Sequence, residues 1–449
     1  MGKSWDIMHG DVRRVCKTQL EAESFDACLC DPPYGLSFMG RAWDYQVPNA
    51  MLWAEVLRVL RPGAHAMIFG GSRTFHRVAC AVEDGGFELR DCLMWMYGSG
   101  FPKSLDVSKA IDKAVGAARK VVGQKHVTNA AQGKGLGHGN LIGGKVRAGF
   151  IDITAPATDA ARVWQGYGTA LKPAHEPIVL ARKSLDGTVA ENVQRWGCGA
   201  LAIDACRIEK QPGDTSGWSS SGSKASENIA MSGANYARDP KPDAVGRWPA
   251  NVILDAEAAA ALDAQTGDRP STLFGRADPL TSHTHPASPD RTRGSMFGNK
   301  RAGGGVYADS GGASRFFYTA KADAFQREAG CDELAPAVAK GTDTLRDGGR
   351  GKATRANTHP TVKPIDLIRY LATLILPPPN PNRPRRILVP FSGSGSEMIG
   401  CLQAGWDEVV GIEREAEYIT IARARITRGG VLSRLDRKKK AVPTRRRKP

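Results

Sequence analysis

Over its first hundred residues the chain alternates short apolar runs with stretches of helical period. WDIMHGD (5–11), FDACLC (25–30), AHAMIFGG (64–71) and FELRDCLMWM (87–96) read as strands, with MLWAEVLRVL (51–60) and TFHRVACAVEDGG (74–86) as helices among them. Strands separated by helices of this length predict parallel βαβ units covered on both faces. A polar, glycine-rich stretch from about 103 to 167, including GKGLGHGNLIGGK, reads as a mobile insertion rather than core. HEPIVLARK (175–183) then returns as one more strand.

From about 184 to 355 the pattern breaks into isolated runs, GALAID, PANVILD and RFFYTA, among serine, glycine and basic residues. This region is either a separate domain or an elaborate insertion. Regular alternation resumes at Pro364 with the helix PIDLIRYLATLIL, the strand RRILVPF, a helix from Glu397, the strand EVVGIE and a helix through EAEYITIARARI. Two α/β halves thus flank an irregular middle without an internal repeat. The expected boundaries are 1–183, 184–355 and 356–430, with a basic tail at 431–449.

Charge narrows the partner. The 449-residue chain has 62 Lys and Arg against 46 Asp and Glu, a formal net charge of +16, which favours a polyanion such as nucleic acid. Nine basic residues and one acid lie between Arg434 and Pro449, a solvated arm or a contributor to DNA affinity. The nine cysteines show no paired metal spacing and read as small buried hydrophobes of a reducing compartment, so no metal is implied. Cys28 and Cys30 are expected to face opposite sides of their strand. With no signal peptide and no apolar run of membrane-spanning length, the expectation is a soluble, cytoplasmic protein.

The segment ILVPFSGSGSEMIGCLQAGWDEVVGIE (387–413) combines a strand, a glycine-rich turn, a helix, a second strand and an acid at that strand's end. Such a turn lets a ligand approach the backbone, and Glu413 is placed to accept hydrogen bonds from ribose hydroxyls. A dinucleotide fingerprint would need a third glycine where Met398 stands, which argues against NAD and an oxidoreductase. The same logic fits S-adenosyl-L-methionine, with Phe391 lining the floor. Taken alone, Gly393 and Gly395 describe no more than a tight βα turn.

DPPY at 31–34 together with FSGSG at 391–395 resembles the amino-group DNA methyltransferases, which act on exocyclic amines of adenine or cytosine. The catalytic motif comes first and the cofactor motif last, which resembles the permuted β group. HPTVKP (359–364) and TALKPAHEPIVLARK (169–183) resemble its phage and mobile-element members. The resemblance implies a doubly wound, mostly parallel seven-stranded α/β sheet with one antiparallel strand and an inserted target-recognition region. It assigns Phe391, Gly393, Gly395 and Glu413 to the cofactor, Asp11 to its adenine amine, and the segment from Thr358 through His359 and Lys363 to Pro364 to its methionine end. Asp11 also reads as a cap, and Lys363 as a phosphate or solvent contact.

The chemistry explains the tetrapeptide without the name. An adenine amine is a poor nucleophile because its lone pair is delocalised into the ring. Asp31 accepts one amine hydrogen bond, and a backbone carbonyl stiffened by Pro32 and Pro33 accepts another. Tyr34 offers a face for a base swung out of double-stranded DNA. Transfer would be direct displacement without metal or covalent intermediate. Cytosine-C5 chemistry is set aside, since no cysteine follows a proline.

Asp31 as the first residue favours adenine N6, with cytosine N4 as the alternative and a non-catalytic DNA-binding protein as the reading from another class. Motif order opposes RNA and protein-glutamine enzymes. Sequence specificity is expected from 184–355, where RWGCGALAIDACRI, SRFFYTAKA and nearby arginines supply base and phosphate contacts. The stretch 123–149 is a candidate closing loop, and FMGRAWD (38–44) a loop over the target pocket. The sequence leaves open whether the protein is a homodimer and whether a cognate restriction endonuclease accompanies it.

Overall fold

A computed structural model describes residues 3–36, 44–98, 100, 104–126, 150–209, 246–270, 310–320, 324–338 and 354–428. The basic tail, most of the 123–149 stretch, and residues 37–43 with Trp43 lie outside the described residues. In chain order the strands are β1 (Ser4–His9), β2 (Phe25–Cys30), β3 (Leu60–Phe69), β4 (Glu88–Met96), β5 (Val121–His126), β6 (Phe150–Thr154), β7 (His175–Arg182) and β8 (Val252–Asp255). Then follow β9 (Arg269–Pro270), β10 (Ser310–Gly311), β11 (Tyr318–Ala320), β12 (Ala337–Val338), β13 (Thr354–Arg355), β14 (Arg386–Pro390) and β15 (Glu408–Glu413).

The central sheet has the order β1-β15-β14-β2-β3-β7-β4-β8-β11. Among these described strands only β7 runs against its neighbours, β3 and β4; the remaining pairings are parallel. The sheet is therefore mostly parallel with one antiparallel strand, as expected, but it has nine strands rather than seven. The two extra strands, β8 and β11, come from the middle of the chain. PANVILD and RFFYTA are legible as strands, but their pairing partners are too distant in sequence for local pattern to reveal.

Other parts of the middle also pack on the sheet. The helix Val189–Trp196 carries Asn192, fully buried, whose amide donates to the carbonyls of Pro62 (3.0 Å) and Cys198 (2.8 Å). Tyr318 stacks on Tyr370 of the helix Ile365–Leu374 with ring centroids 3.9 Å apart. The stretch expected to be a mobile insertion at 103–167 has structure in its described parts. The helix Val107–Ala114 and the β5–β6 hairpin meet at Asp112, which accepts from Arg119 (2.6 Å), the backbone of Ala157 (2.9 Å) and Thr158.

Apolar side chains cover both faces of the sheet. Along β2, Ala27 and Leu29 enter one core cluster, while Phe25, Cys28 and Cys30 enter the other. The expectation that Cys28 and Cys30 face opposite sides is thus corrected: strand side chains repeat every two residues, so positions two apart share a face. Asp26, buried on the same strand, accepts from Arg61 (2.8 Å), Arg383 (2.7 Å) and the backbone of Arg386 (2.8 Å). One carboxylate thereby ties β2 to β3 and to the approach to β14, across some 360 residues.

Candidate active site

Strand order places the two motifs side by side. From β2 the chain builds the sheet outward through β3, and from β14 it builds the other way through β15 to β1, so β2 and β14 flank a topological switch point. Open α/β sheets bind ligands beyond the carboxyl ends of strands at such a point. DPPY leaves the end of β2 and FSGSG the end of β14, while Glu413 ends β15, level with His9 at the end of β1. Because β7 is antiparallel, its beginning, His175 and Glu176, comes to this same edge beside Met96 and Trp95.

The turn after β14 is shaped by backbone as much as by side chains. Phe391 has φ 60°, a region that non-glycine residues rarely enter, and Gly393 follows at φ 48°. A Cβ on Gly393 would stand 2.8 Å from His359 Nε2, so glycine is needed on both counts. Its N–H donates to Glu413 Oε2 at 2.8 Å. Glu413 Oε1 accepts from the backbone of Arg414 and Glu415, each at 2.9 Å. Burial pushes the Glu413 pKa up, and these N–H groups pull against it. Gly395, at φ 81°, caps the helix Ser396–Ala404 and has Ala422 3.0 Å from where a Cβ would lie.

His359 packs edge-on against Tyr418, and its Nδ1 bonds the Thr361 carbonyl. Burial lowers its pKa to about 4, so the ring is neutral near pH 7. Thr358 turns away, donating to Glu417 Oε1 at 2.6 Å. Asp11 caps the helix Val12–Gln19, accepting from the Arg14 backbone at 3.1 Å, and also faces the cavity. Its two readings from sequence are compatible.

On the other side, Asp31 has both oxygens engaged. Tyr34 donates its hydroxyl to Oδ1 at 2.6 Å, and Lys363 donates its ammonium to Oδ2 at 2.5 Å. Glu176 completes the cluster, 3.1 Å from the Tyr34 oxygen and 3.3 Å from Lys363 Nζ. Burial alone would lower the Lys363 pKa, but Asp31 and Glu176 outweigh it and raise it, so the ammonium stays charged. Burial, reinforced by the same two carboxylates, lifts the Tyr34 phenol well above its usual range and keeps it a donor. Lys363, expected at the methionine end of a cofactor, lines the cavity and pairs there with the carboxylates beside DPPY.

Asp44 holds the loop itself. Its Oδ1 accepts from the backbone N–H of Tyr34 (2.7 Å) and Gly35 (2.9 Å), and its Oδ2 from Leu36 (3.2 Å). Gly71 makes room for Tyr34, since a Cβ there would stand 3.0 Å from the ring. Glu397, buried close to Asp31, has its pKa raised to about 7 by burial and by the Asp31 charge.

These residues line one cavity of about 1410 Å³. It gathers Asp11, Asp31, Pro32, Pro33, Tyr34, His359, Lys363, Phe391, Gly393 and Glu413, but not Thr358 or Gly395. The volume exceeds the ~300–1,000 Å³ of a site for one small ligand, leaving room for a nucleoside cofactor and a second group. Sequence reasoning missed Glu176, Asp44, Glu397 and the aromatic wall of Trp95 and Tyr97, whose rings lie 5.2 Å apart. Glu176 stands inside the quoted HEP phrase and Asp44 inside FMGRAWD, but neither has a local signal for its role.

The sequence pattern of the DNA methylase family (N6_N4_Mtase) matches residues 25–424. A search of curated proteins returns no match. Among solved structures, M1.HpyAVI is 12% identical at a TM-score of 0.35, covering 94% of this chain and 98% of its own. TTHA0409 of Thermus thermophilus, complexed with S-adenosyl-L-methionine, is 11% identical at 0.35, with 96% and 94% covered. The cytosine-N4-specific PvuII DNA methyltransferase is 10% identical at 0.37, with 97% and 93% covered.

Proposed function

The chain belongs to the DNA methylase family, and on that premise we propose that it transfers a methyl group from S-adenosyl-L-methionine to the N6 amine of adenine in duplex DNA. The observation that carries this reading is the shared cavity: Asp31 after β2, Gly393 after β14 and Glu413 at the end of β15 face one space at the switch point. The cofactor supplies its methyl as a sulfonium. The residues fit such a group: the Gly393 turn has no space for a side chain, and Glu413 keeps an acceptor site beyond its three backbone donors.

On the target side, Asp31 accepts a hydrogen bond from the amine, and the carbonyls of the Pro32–Pro33 turn are candidates for the second. Both point the nitrogen lone pair at the methyl group, which is proximity and orientation catalysis. To meet the amine, Asp31 exchanges Tyr34 or Lys363 for it. Trp95 and Tyr97 join Tyr34 as surfaces for an extruded base. The permuted β order is supported by DPPY preceding FSGSG, and double-stranded DNA by the net charge of +16.

The test uses unmethylated DNA, labelled S-adenosyl-L-methionine and digestion to nucleosides. N6-methyladenine is expected; N4-methylcytosine would overturn the adenine assignment, and no transfer by folded protein would overturn the enzyme reading. Asp31→Ala should abolish transfer and leave cofactor binding by calorimetry within about twofold.

A further inference from the structure

Leu171 is 93% exposed, more than any other large apolar side chain among the described residues, and it stands on the wall of the cavity. Singly exposed leucines are common on protein surfaces and need no explanation by themselves. What distinguishes this one is the backbone beneath it, which is fastened on both sides. The N–H groups of Thr169 and Ala170 donate to Ser104 Oγ at 2.9 and 3.3 Å, and Thr169 Oγ1 accepts from Leu105 N at 2.9 Å. After it, Lys172 donates its ammonium to the Gly98 carbonyl at 2.5 Å, and the Ala174 carbonyl accepts from Tyr97 N at 3.0 Å. A pinned loop thus holds an unpacked apolar side chain beside the space where Asp31 works.

We infer that Leu171 is a wedge that enters the DNA stack at the position the target base leaves. This rests on the proposed methylation of duplex DNA. Swinging a base out costs its stacking and pairing, and an apolar side chain inserted into the gap recovers contact for the bases on either side. A loop that is already ordered spends little conformational entropy when it inserts. The side chain gives up water and no protein packing, so insertion is favourable only where a gap opens.

The experiment first maps the methylated site on plasmid DNA. It then compares two duplexes, one fully paired and one with the target adenine opposite an abasic position, where extrusion is already cheap. Leu171→Ala should lower kcat/KM about tenfold or more on the paired duplex and change it less than about twofold on the abasic one. Leu171→Phe, still large and apolar, should retain most of the paired-duplex activity. An equal loss on both duplexes, or none on the paired duplex, overturns the wedge while leaving the methyltransferase reading intact. Failure of the unaltered protein to methylate any DNA sinks the reading on which the wedge rests. Unchanged cofactor affinity and Tm in the variant separate the effect from misfolding.

Discussion

At the residue scale the site is governed by where its buried lysine sits. Lys363 is shared between Asp31 and Glu176, so Lys363→Met leaves two carboxylates without that counter-ion. Breaking a buried pair from one side costs about 3–5 kcal/mol. The expected outcome is a lower urea midpoint; an unchanged midpoint would remove Lys363 from this role. Glu397 gives a pH signature. Its folded pKa of about 7 lies above the ordinary 4.5, so its stabilising contribution is full below about 4.5 and is lost as pH rises through about 7. Glu397→Gln should therefore gain stability relative to the parent, on the order of 3 kcal/mol, between pH 4.5 and 7.5. Denaturant melts at the two pH values check it.

Asp31 and Glu413 are legible in the sequence because each ends a strand next to residues of unusual backbone chemistry. Glu176, Asp44 and Glu397 are not, since a carboxylate's role here depends on what folds against it from far along the chain. Thr358 shows the reverse: adjacency to His359 draws it toward the cofactor, while its hydroxyl donates to Glu417 and it lies outside the cavity lining. The two cysteines of β2 show an error, a strand period misapplied by one position.

At the scale of elements, the turn from β14 into the helix Ser396–Ala404 concentrates positive φ values at Phe391, Gly393 and Gly395. Gly393→Ala should cost about 1–3 kcal/mol from backbone strain, push His359 aside and lose cofactor affinity; retained affinity by calorimetry would refute that account of the turn. Its partner loop after β2 is held by three backbone donors converging on Asp44. Asp44→Asn replaces a carboxylate oxygen facing N–H groups with an amide that can satisfy them only in part. A fall in kcat with unchanged cofactor binding is expected, as the acid and Tyr34 lose their fixed placement. Hydrophobic period predicts the strands and helices of both α/β blocks, but not the order in which β8 and β11 join the sheet.

At the scale of the whole molecule, the sheet is one body assembled from both ends of the sequence. None of the described helices is long and apolar enough to cross a membrane. A fragment ending at residue 183 keeps DPPY but lacks β14, so one side of β2 is left unpaired. Such an edge invites association with other chains.

Asp26 carries this furthest. A buried carboxylate shared by Arg61, Arg383 and the Arg386 backbone makes separation of the two blocks cost it two of its three partners. Chain connectivity then becomes dispensable once folding is complete. A single proteolytic nick between β7 and β14 would produce two bands under denaturing conditions yet one particle on a native column.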